Sequence, residues 1–252
     1  MGGVAVTAVE RVIDILETFQ ASQQPLSLTE LSQAVGIPKS TCHAIVQTLM
    51  ARGYLYSLTR PRAIYPTRRI YDVARDILDK DPFIERATPV LERLRDTTRE
   101  TVILGKRQGD AVIYLQVVEG LHAIRYSAKP GEFKPLHSSS IGKALLGGLK
   151  EQELRAWLDG RQLPLITAAT KTDPEALVQE LQESRRAGYF VTRGENVSDV
   201  WAVAAFFTLH GETLAVAVAG PRNRMEGCLA ECAKVLVATC SFLARQSSGA
   251  RP

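Results

Sequence analysis

The sequence is poor in the features that mark secreted or membrane proteins. Only four of its 252 residues are cysteines and none form a CxxC pair, so a disulfide framework is not expected. The first residues have neither a basic segment nor a long apolar run, so we expect no secretory signal. The longest apolar stretch, Val200–Leu209, is too short to cross a bilayer as a helix. These absences predict a cytoplasmic protein.

Acidic residues are missing from one long stretch of the chain. Residues 31–71 contain no Asp or Glu, and residues 1–71 carry seven basic and four acidic groups, against 24 and 23 in the rest. The basic residues inside the stretch are Lys39, Arg52, Arg60, Arg62, Arg68 and Arg69. A local field of one sign attracts polyanions, of which nucleic acid is the usual one. Charge alone leaves open a solvated basic face with no partner.

The first seventy residues have the spacing of a helix-turn-helix. A first helix is predicted from apolar residues at helical spacing, namely Val9, Val12, Ile13, Leu16 and Phe19. Ser27 and Glu30 form a capping box that begins a second helix, and Gly36 suits its end. Pro38 favours the start of a third helix near residues 39–52. One stripe of that helix is apolar: Cys42, Ile45, Val46 and Leu49.

The third helix is predicted to read DNA in the major groove. Its polar face and flanks carry short, amide or basic groups suited to base edges and phosphates: Lys39, Ser40, Thr41, His43, Ala44, Gln47 and Thr48. Two short strands around a basic turn then predict a wing, in which Arg60 and Arg62 contact phosphate or the minor groove. The alternative is a three-helix module that binds protein. The acid-free stretch covers both the third helix and the wing, and this agreement favours DNA.

A short amphipathic helix is predicted to follow the wing. Thr67 suits its cap, and one side of it is apolar: Ile70, Val73, Ala74, Ile77 and Leu78. Such a stripe is buried either by a partner helix from a second subunit or by the rest of its own chain. Asp81-Pro82 restarts the chain. We therefore expect three segments, a winged helix-turn-helix over 1–66, a linker helix over 67–81 and a larger domain over 82–252.

The larger domain mixes strands and helices. Strands are predicted over 101–108, 111–118, 122–128, 189–192, 200–209 and 213–219. Helices are predicted over 140–149, 151–158, 174–188 and 225–245. Gly109-Asp110 makes a hairpin of the first two strands. The pattern indicates an α+β fold.

Three stretches together resemble the IclR family of bacterial transcriptional regulators. They are Leu28–Leu55, Pro135–Leu146, and Gly188-Tyr189 through "VAAFF" to "VAVAGPRNR" at Val216–Arg224. The resemblance implies a GAF-like α/β effector-binding domain behind the winged helix-turn-helix. It also implies homodimers that often pair into tetramers, and repression or activation of a catabolic or metabolic operon tuned by a small organic acid. A symmetric dimer is expected to bind a pseudo-palindromic site on double-stranded DNA.

The resemblance also implies the residues of the effector pocket. They are Tyr126, Ser140, Ile141, Thr192, Val200, Ala202, Ala217 and Ala219. Family members that bind very small polar acids tend to carry Ser at the last two positions, where this chain has Ala. The chain therefore predicts a wider, more apolar pocket and an aromatic or longer aliphatic acid. The helix that starts near Ser139–Ile141 offers free N–H groups and a dipole that favour a carboxylate.

The sequence raises two other functions, an enzyme that turns over a small acid and a redox- or metal-sensing regulator. His137 precedes three serines, but no G-x-S-x-G motif and no acid partner accompany it, so catalytic residues are not expected. Cys228, Cys232 and Cys240 suggest a redox or metal sensor, but histidine ligands are missing nearby and small core packing is favoured. The sequence therefore predicts no enzyme activity, no bound metal and no cofactor.

Overall fold

The structure is a computed structural model that describes residues 7–59, 62–78 and 82–245. The chain divides into two compact units, with the division between Asp81 and Pro82. The first unit is mainly helical, and the second is built on a six-stranded sheet.

The first unit is a winged helix-turn-helix. Its elements are α1 (Thr7–Ser22), α2 (Leu28–Val35), α3 (Lys39–Ala51), β1 (Leu55–Leu58), β2 (Ala63–Pro66) and α4 (Arg69–Leu78). β1 and β2 pair antiparallel, from Leu55 opposite Pro66 to Leu58 opposite Ala63. All three helices of the motif and the wing share one core of buried side chains: Ile15, Phe19, Leu31, Cys42, Val46, Leu55 and Ile64. The predicted fold of this part is confirmed.

Local signals set the ends of α2 as the sequence predicts. Ser27 Oγ accepts a hydrogen bond from the Glu30 amide at 3.2 Å, and Glu30 Oε2 accepts one from the Ser27 amide at 2.8 Å. Gly36 ends the helix in the left-handed conformation, with φ of 70°. The helix α1 forms where apolar spacing predicts one, but it buries Ile15 and Phe19 and leaves Val9 and Ile13 about half exposed.

The second unit places helices on both faces of its sheet. Its elements are α5 (Pro82–Thr98), β3 (Thr101–Gln108), β4 (Ala111–Val118), β5 (Phe133–Pro135), α6 (Ser140–Gly147), α7 (Glu151–Leu158), α8 (Pro174–Ala187), β6 (Phe190–Arg193), β7 (Val200–Leu209), β8 (Glu212–Pro221) and α9 (Arg222–Arg245). The strand order is β5-β4-β3-β8-β7-β6, and every neighbouring pair is antiparallel. This is the predicted α+β arrangement.

Alternation along β8 assigns its residues to two separate cores. Its alanines, at 215, 217 and 219, pack on the side of α6, α7 and α8. Its larger residues Leu214, Val216 and Val218 pack on the side of α5 and α9. The central strand thus presents small side chains to one layer of helices and branched ones to the other. The small side leaves room for a cavity.

One strand predicted for this unit is wrong, and two of its elements, α5 and β5, were not predicted. The described stretch 119–132 contains no strand, although 122–128 was predicted as one. Its side chains bond locally instead, since Arg125 Nε donates to Glu119 Oε2 at 3.1 Å. The helix α5 was not predicted at all.

The final helix, α9, is long and apolar enough by composition to cross a membrane. In the structure one of its faces packs on the sheet through buried residues that include Met225, Leu236 and Leu243. The apolar character of α9 therefore has an explanation in the core of the second unit.

Candidate nucleic-acid interface and ligand cavity

The helix α3 packs one face in the core of the first unit and exposes the opposite face. Cys42 and Val46 anchor the helix in the core, so the residues on its opposite side are exposed. Six of the seven α3 residues predicted to contact DNA are exposed: Lys39, Ser40, His43, Ala44, Gln47 and Thr48. Thr41 is half-buried. The hydroxyl of Thr48 donates to the Ala44 carbonyl at 2.9 Å, which occupies its only proton.

A groove of about 790 Å³ runs between α2, α3 and the wing. Four predicted residues line it, namely Lys39, His43, Gln47 and Arg62. Four polar residues that the sequence reasoning missed line it as well: Ser27, Thr29, Ser57 and Thr59. Arg60, the other predicted wing residue, lies outside the described residues.

Contacts inside the groove orient its functional groups. Lys39 Nζ donates to Thr29 Oγ1 at 2.8 Å, which ties the start of α3 to α2. The Nε2 atoms of His43 and Gln47, one helical turn apart, are 3.5 Å from each other. None of the described residues that line the groove is acidic. The groove is therefore suited to an anionic surface that carries hydrogen-bonding edges.

The second unit contains a small cavity between α6 and the sheet. Its volume is about 30 Å³. Seven of the eight predicted pocket residues line it: Tyr126, Ser140, Thr192, Val200, Ala202, Ala217 and Ala219. Ile141, the eighth, is not among the lining residues, because its side chain is buried in the core between α6 and the sheet.

Four neighbouring strands build the cavity wall in register. Thr192 of β6 pairs with Ala202 of β7, which pairs with Ala219 of β8. Ala217 pairs with Ile103 of β3, which adds a second row. Ile103 was missed by the sequence reasoning, although its place on the inward face follows from the alternation of β3.

The cavity also has a polar side, formed by the first turn of α6. Ser139 caps this helix, since its hydroxyl accepts from the Gly142 amide at 3.2 Å and donates to the Pro135 carbonyl at 2.6 Å. The first N–H groups of a helix have no acceptor within the helix. Gly142 lies so close to the Leu136 backbone that a Cβ at this position would collide with it. This glycine lets the start of α6 pack against the end of β5.

Further lining residues come from distant parts of the chain. Tyr114 and Ser139, together with Asn196 and Val197 of the loop between β6 and β7, complete the wall. Burial raises the pKa of the Tyr114 hydroxyl, and the neighbouring Tyr126 hydroxyl acts in the same direction, so Tyr114 stays neutral. The cavity thus combines apolar walls with neutral hydroxyl, phenol and amide groups.

His137 has a structural environment. Its Nε2 lies 2.9 Å from the Pro164 carbonyl, and burial, aided by the charge of Lys143, lowers its pKa although the Pro164 contact acts the other way. Because a carbonyl only accepts hydrogen bonds, Nε2 is the protonated nitrogen. The ring is held as a donor to the backbone, which is not the arrangement of a general base.

The cysteines of α9 are packed as apolar residues. The Sγ atoms of Cys228 and Cys232 are 3.7 Å apart, and burial raises the pKa of both Cys232 and Cys240 to about 12. The thiolate is the form that binds metals and reacts with oxidants. Among the described residues, no group of three or more His, Cys, Asp or Glu side chains is placed to hold a metal ion. Core packing explains these residues.

Family models match both units of the chain. The IclR helix-turn-helix domain matches residues 8–58, and the model of the bacterial transcriptional regulator IclR C-terminal part matches residues 75–244. Among curated proteins, the HTH-type transcriptional regulator BhcR of Paracoccus denitrificans is 36% identical over 87% of this chain and 79% of its own length. The transcriptional repressor IclR of Escherichia coli is 29% identical over 87% of this chain and 82% of its own length.

Solved structures share the fold over nearly the whole chain. The Thermotoga maritima IclR structure has a TM-score of 0.82 at 22% identity and covers 96% of this chain and 99% of its own. An IclR homologue of Microbacterium hydrocarbonoxydans, complexed with 4-hydroxybenzoate, has a TM-score of 0.77 at 22% identity and covers 96% and 100%.

Proposed function

The chain belongs to the IclR family of bacterial transcriptional regulators, and on that premise we propose how its two units act together. The proteins of this family bind DNA and respond to ligands; they are not enzymes. We propose that α3 and the wing of this chain bind an operator in the cytoplasm, and that an organic acid in the cavity of the second unit controls this binding. The observation that carries the proposal is the acid-free groove lined by Lys39, His43, Gln47 and Arg62.

The division of labour in the groove follows from the chemistry of its residues. Gln47 and His43 present an amide and an imidazole for base edges, and Gln pairs well with adenine. Lys39 and Arg62 contribute positive charge at its two sides, which suits phosphates on either side of the major groove. Ser40, Thr41, Ala44 and Thr48 complete the contact surface of α3, and Arg60 acts with Arg62 in the wing.

A second copy of the chain is the proposed partner of the first unit. Side chains on α1 and α4 are apolar and exposed: Val9, Ile13, Tyr71, Ile77 and Leu78, with Ile77 and Leu78 each 66% exposed. Because α4 buries none of its residues within the single chain, its apolar stripe needs an external partner. A homodimer supplies one, and its twofold symmetry predicts a pseudo-palindromic operator. Tetramers would form by pairing of such dimers.

The effector is proposed to be an aromatic or longer aliphatic acid. Support comes from the three alanines in the wall, from the amide groups at the start of α6 that have no acceptor within the helix, and from the 4-hydroxybenzoate bound by the Microbacterium homologue. The cavity volume of about 30 Å³ has room for only a few water molecules, since one water needs about 10–15 Å³ of such space. The acid must therefore displace part of the wall, and this displacement is the conformational change that the effector selects.

DNA binding is tested by selecting duplexes from a random-sequence pool with the full chain. We expect enrichment of inverted repeats, with contact positions that change when Gln47 is replaced by Ala. A chain that enriches no sequence and does not retain duplex DNA at low salt refutes the operator proposal.

The effector is tested by thermal shift of the full chain with acetate, pyruvate, butyrate, hexanoate, benzoate and 4-hydroxybenzoate. We expect the last three to raise the Tm most. In the A217S/A219S variant the preference should move toward acetate and pyruvate, because the wall gains two hydroxyl groups. Ala215→Ser is the matched control, since Ala215 is buried on the same face of β8 but does not line the cavity. If the short acids already give the largest shifts in the wild-type chain, the size prediction is refuted.

A further inference from the structure

A cluster of buried charges lies next to the cavity without lining it. Lys143 of α6 is 1% exposed, and its ammonium group bonds both oxygens of Glu180 at 2.9 Å and one oxygen of Glu195. Lys171 reaches the other side of Glu180 at 2.8 Å. We call Lys143, Lys171, Glu180 and Glu195 the Lys143 cluster. Lys171 is partly exposed, and its charge together with that of Lys143 balances the two carboxylates, which is how the buried members are tolerated in the interior.

The cluster joins two walls of the cavity. Lys143 lies one turn after Ser139 and Ser140, which form the polar side of the cavity, and its amide donates to the Ser139 carbonyl at 2.9 Å. Glu195 directly precedes Asn196 and Val197, which line the cavity from the loop between β6 and β7. The ion pair of Lys143 with Glu195 is therefore a direct link between the start of α6 and this loop.

The loop is fixed at its base and open at its tip. Gly194 and Glu195 are buried, whereas Val197, Ser198 and Asp199 are exposed. Gly194 has φ of 77°, which turns the chain sharply, and its carbonyl accepts from Thr167 Oγ1 at 2.7 Å. Thr170 Oγ1 donates to the Glu195 carbonyl at 2.7 Å. These two threonine bonds hold the backbone to residues 167–170, and the Asp199 carbonyl accepts from the Arg222 amide at 2.8 Å at the far end of the loop. Among the hydrogen bonds and ion pairs of the described residues, only that of the Glu195 side chain with Lys143 joins the loop to α6.

The Glu195 carboxylate depends on Lys143 for its charge. Burial raises its pKa, and the charge and hydrogen bond of Lys143 oppose this rise. Glu180 lies on the same ammonium group but belongs to α8, away from the lining residues. Both carboxylates thus bond Lys143, but Glu195 connects it to the loop between β6 and β7 and Glu180 connects it to α8.

We propose that Glu195 is a positioning residue for the effector: its ion pair with Lys143 holds the loop 194–199 against the first turn of α6, so that Asn196 and Val197 close the cavity over a bound acid. This role rests on the proposed function of the cavity as the effector site. Glu180 balances the remaining positive charge of the cluster and has no part in closing the loop.

Hydrogen exchange on the full chain without any acid tests the loop directly. In Glu195→Gln the amides of Gly194 and Val200, which donate to the Val200 and Val197 carbonyls, should exchange about tenfold faster than in the wild-type chain, while the amides of β8 keep their protection. In Glu180→Gln, which also leaves Lys143 with one carboxylate, the loop should exchange within about twofold of wild type. Equal acceleration in the two variants, or none in Glu195→Gln, overturns the proposal.

A second measurement separates positioning from stability. The six acids named above are titrated calorimetrically against both variants. For every acid that binds the wild-type chain, affinity should fall about tenfold in Glu195→Gln and stay within about twofold in Glu180→Gln, even where Glu180→Gln lowers the Tm more. Affinities that follow the Tm in both variants overturn the proposal. If no acid binds the wild-type chain, the effector series fails but the exchange experiment still decides the role of the loop.

Discussion

Replacing Lys39 by Gln should weaken DNA binding and make the remaining affinity less dependent on salt. Lys39 lies at the start of α3, lines the groove and is exposed, and its only described bond is to the Thr29 hydroxyl. Each phosphate contact contributes about 0.9 to the slope of log affinity against log salt. A dimer presents two copies of Lys39, so the slope should fall by about 1.8.

This change in slope converts to a measurable ratio. Between 50 and 200 mM salt, the loss of affinity should be about 12-fold smaller in Lys39→Gln than in the wild-type dimer. With Lys39 and Arg62 both replaced by Gln, the dimer loses four contacts, and its loss of affinity over this salt range should be smaller than that of the wild-type dimer by roughly two orders of magnitude. Because both side chains are exposed, stability should change by less than about 0.5 kcal/mol.

Fluorescence anisotropy of a labelled operator over this salt range measures the slopes. Lys234→Gln is the matched control, since Lys234 is 74% exposed on α9 and outside the groove. A slope in Lys39→Gln equal to that of wild type, at an unchanged Tm, would refute the placement of phosphates in the groove. A slope that falls equally in the Lys234 control would show a general effect of net charge instead.

Three further perturbations test the structure. The pKa of His137 is lowered in the folded chain, so the unfolded chain takes up this proton first as the pH falls. The contribution of neutral His137 to stability is therefore complete above its ordinary pKa of 6.5 and is lost as the pH falls below that value. Urea unfolding of His137→Gln should depend less on pH in that range. Gly220→Ala should destabilise the fold by about 2 kcal/mol in thermal unfolding, because the new Cβ collides with the buried Glu100 carboxylate. Gly227→Ala on α9 is the matched control: its Cβ meets open space, and it should stabilise the fold by roughly 0.5 kcal/mol. Ile77→Lys should halve the mass observed by sedimentation, and an unchanged dimer would exclude the exposed face of α4 from the interface.

The first unit was predictable because its signals are local. The reciprocal bonds of Ser27 and Glu30, the left-handed Gly36 and the spacing of Cys42 and Val46 each act within one or two helical turns. Such patterns determine where a helix starts, where it ends and which face it buries. For α1 the spacing predicted the helix but not which side chains it buries, since Ile15 and Phe19 are buried while Val9 and Ile13 are about half exposed.

The second unit was less predictable because its cavity is assembled from distant strands. All eight predicted lining residues came from resemblance to a family rather than from spacing, and seven of them line the cavity. Tyr114, Asn196 and Val197 join them only through the sheet order and the loop after β6. The stretch 122–128 reads as a strand by composition, but side-chain bonds such as that of Arg125 with Glu119 hold it as a loop. The helix α5 was missed because Asp81-Pro82 was interpreted only as a restart of the chain.

In the proposed function, β8 presents the effector cavity on one face and packs only against α5 and α9 on the other. Alanines at 217 and 219 touch the cavity, while Val216 and Val218 lie under α5 and α9. If the proposed effector site is correct, we expect an exchange on the first face to alter the selectivity for the acid while the packing on the second face is retained. We expect such a strand to let the ligand preference change on a common scaffold.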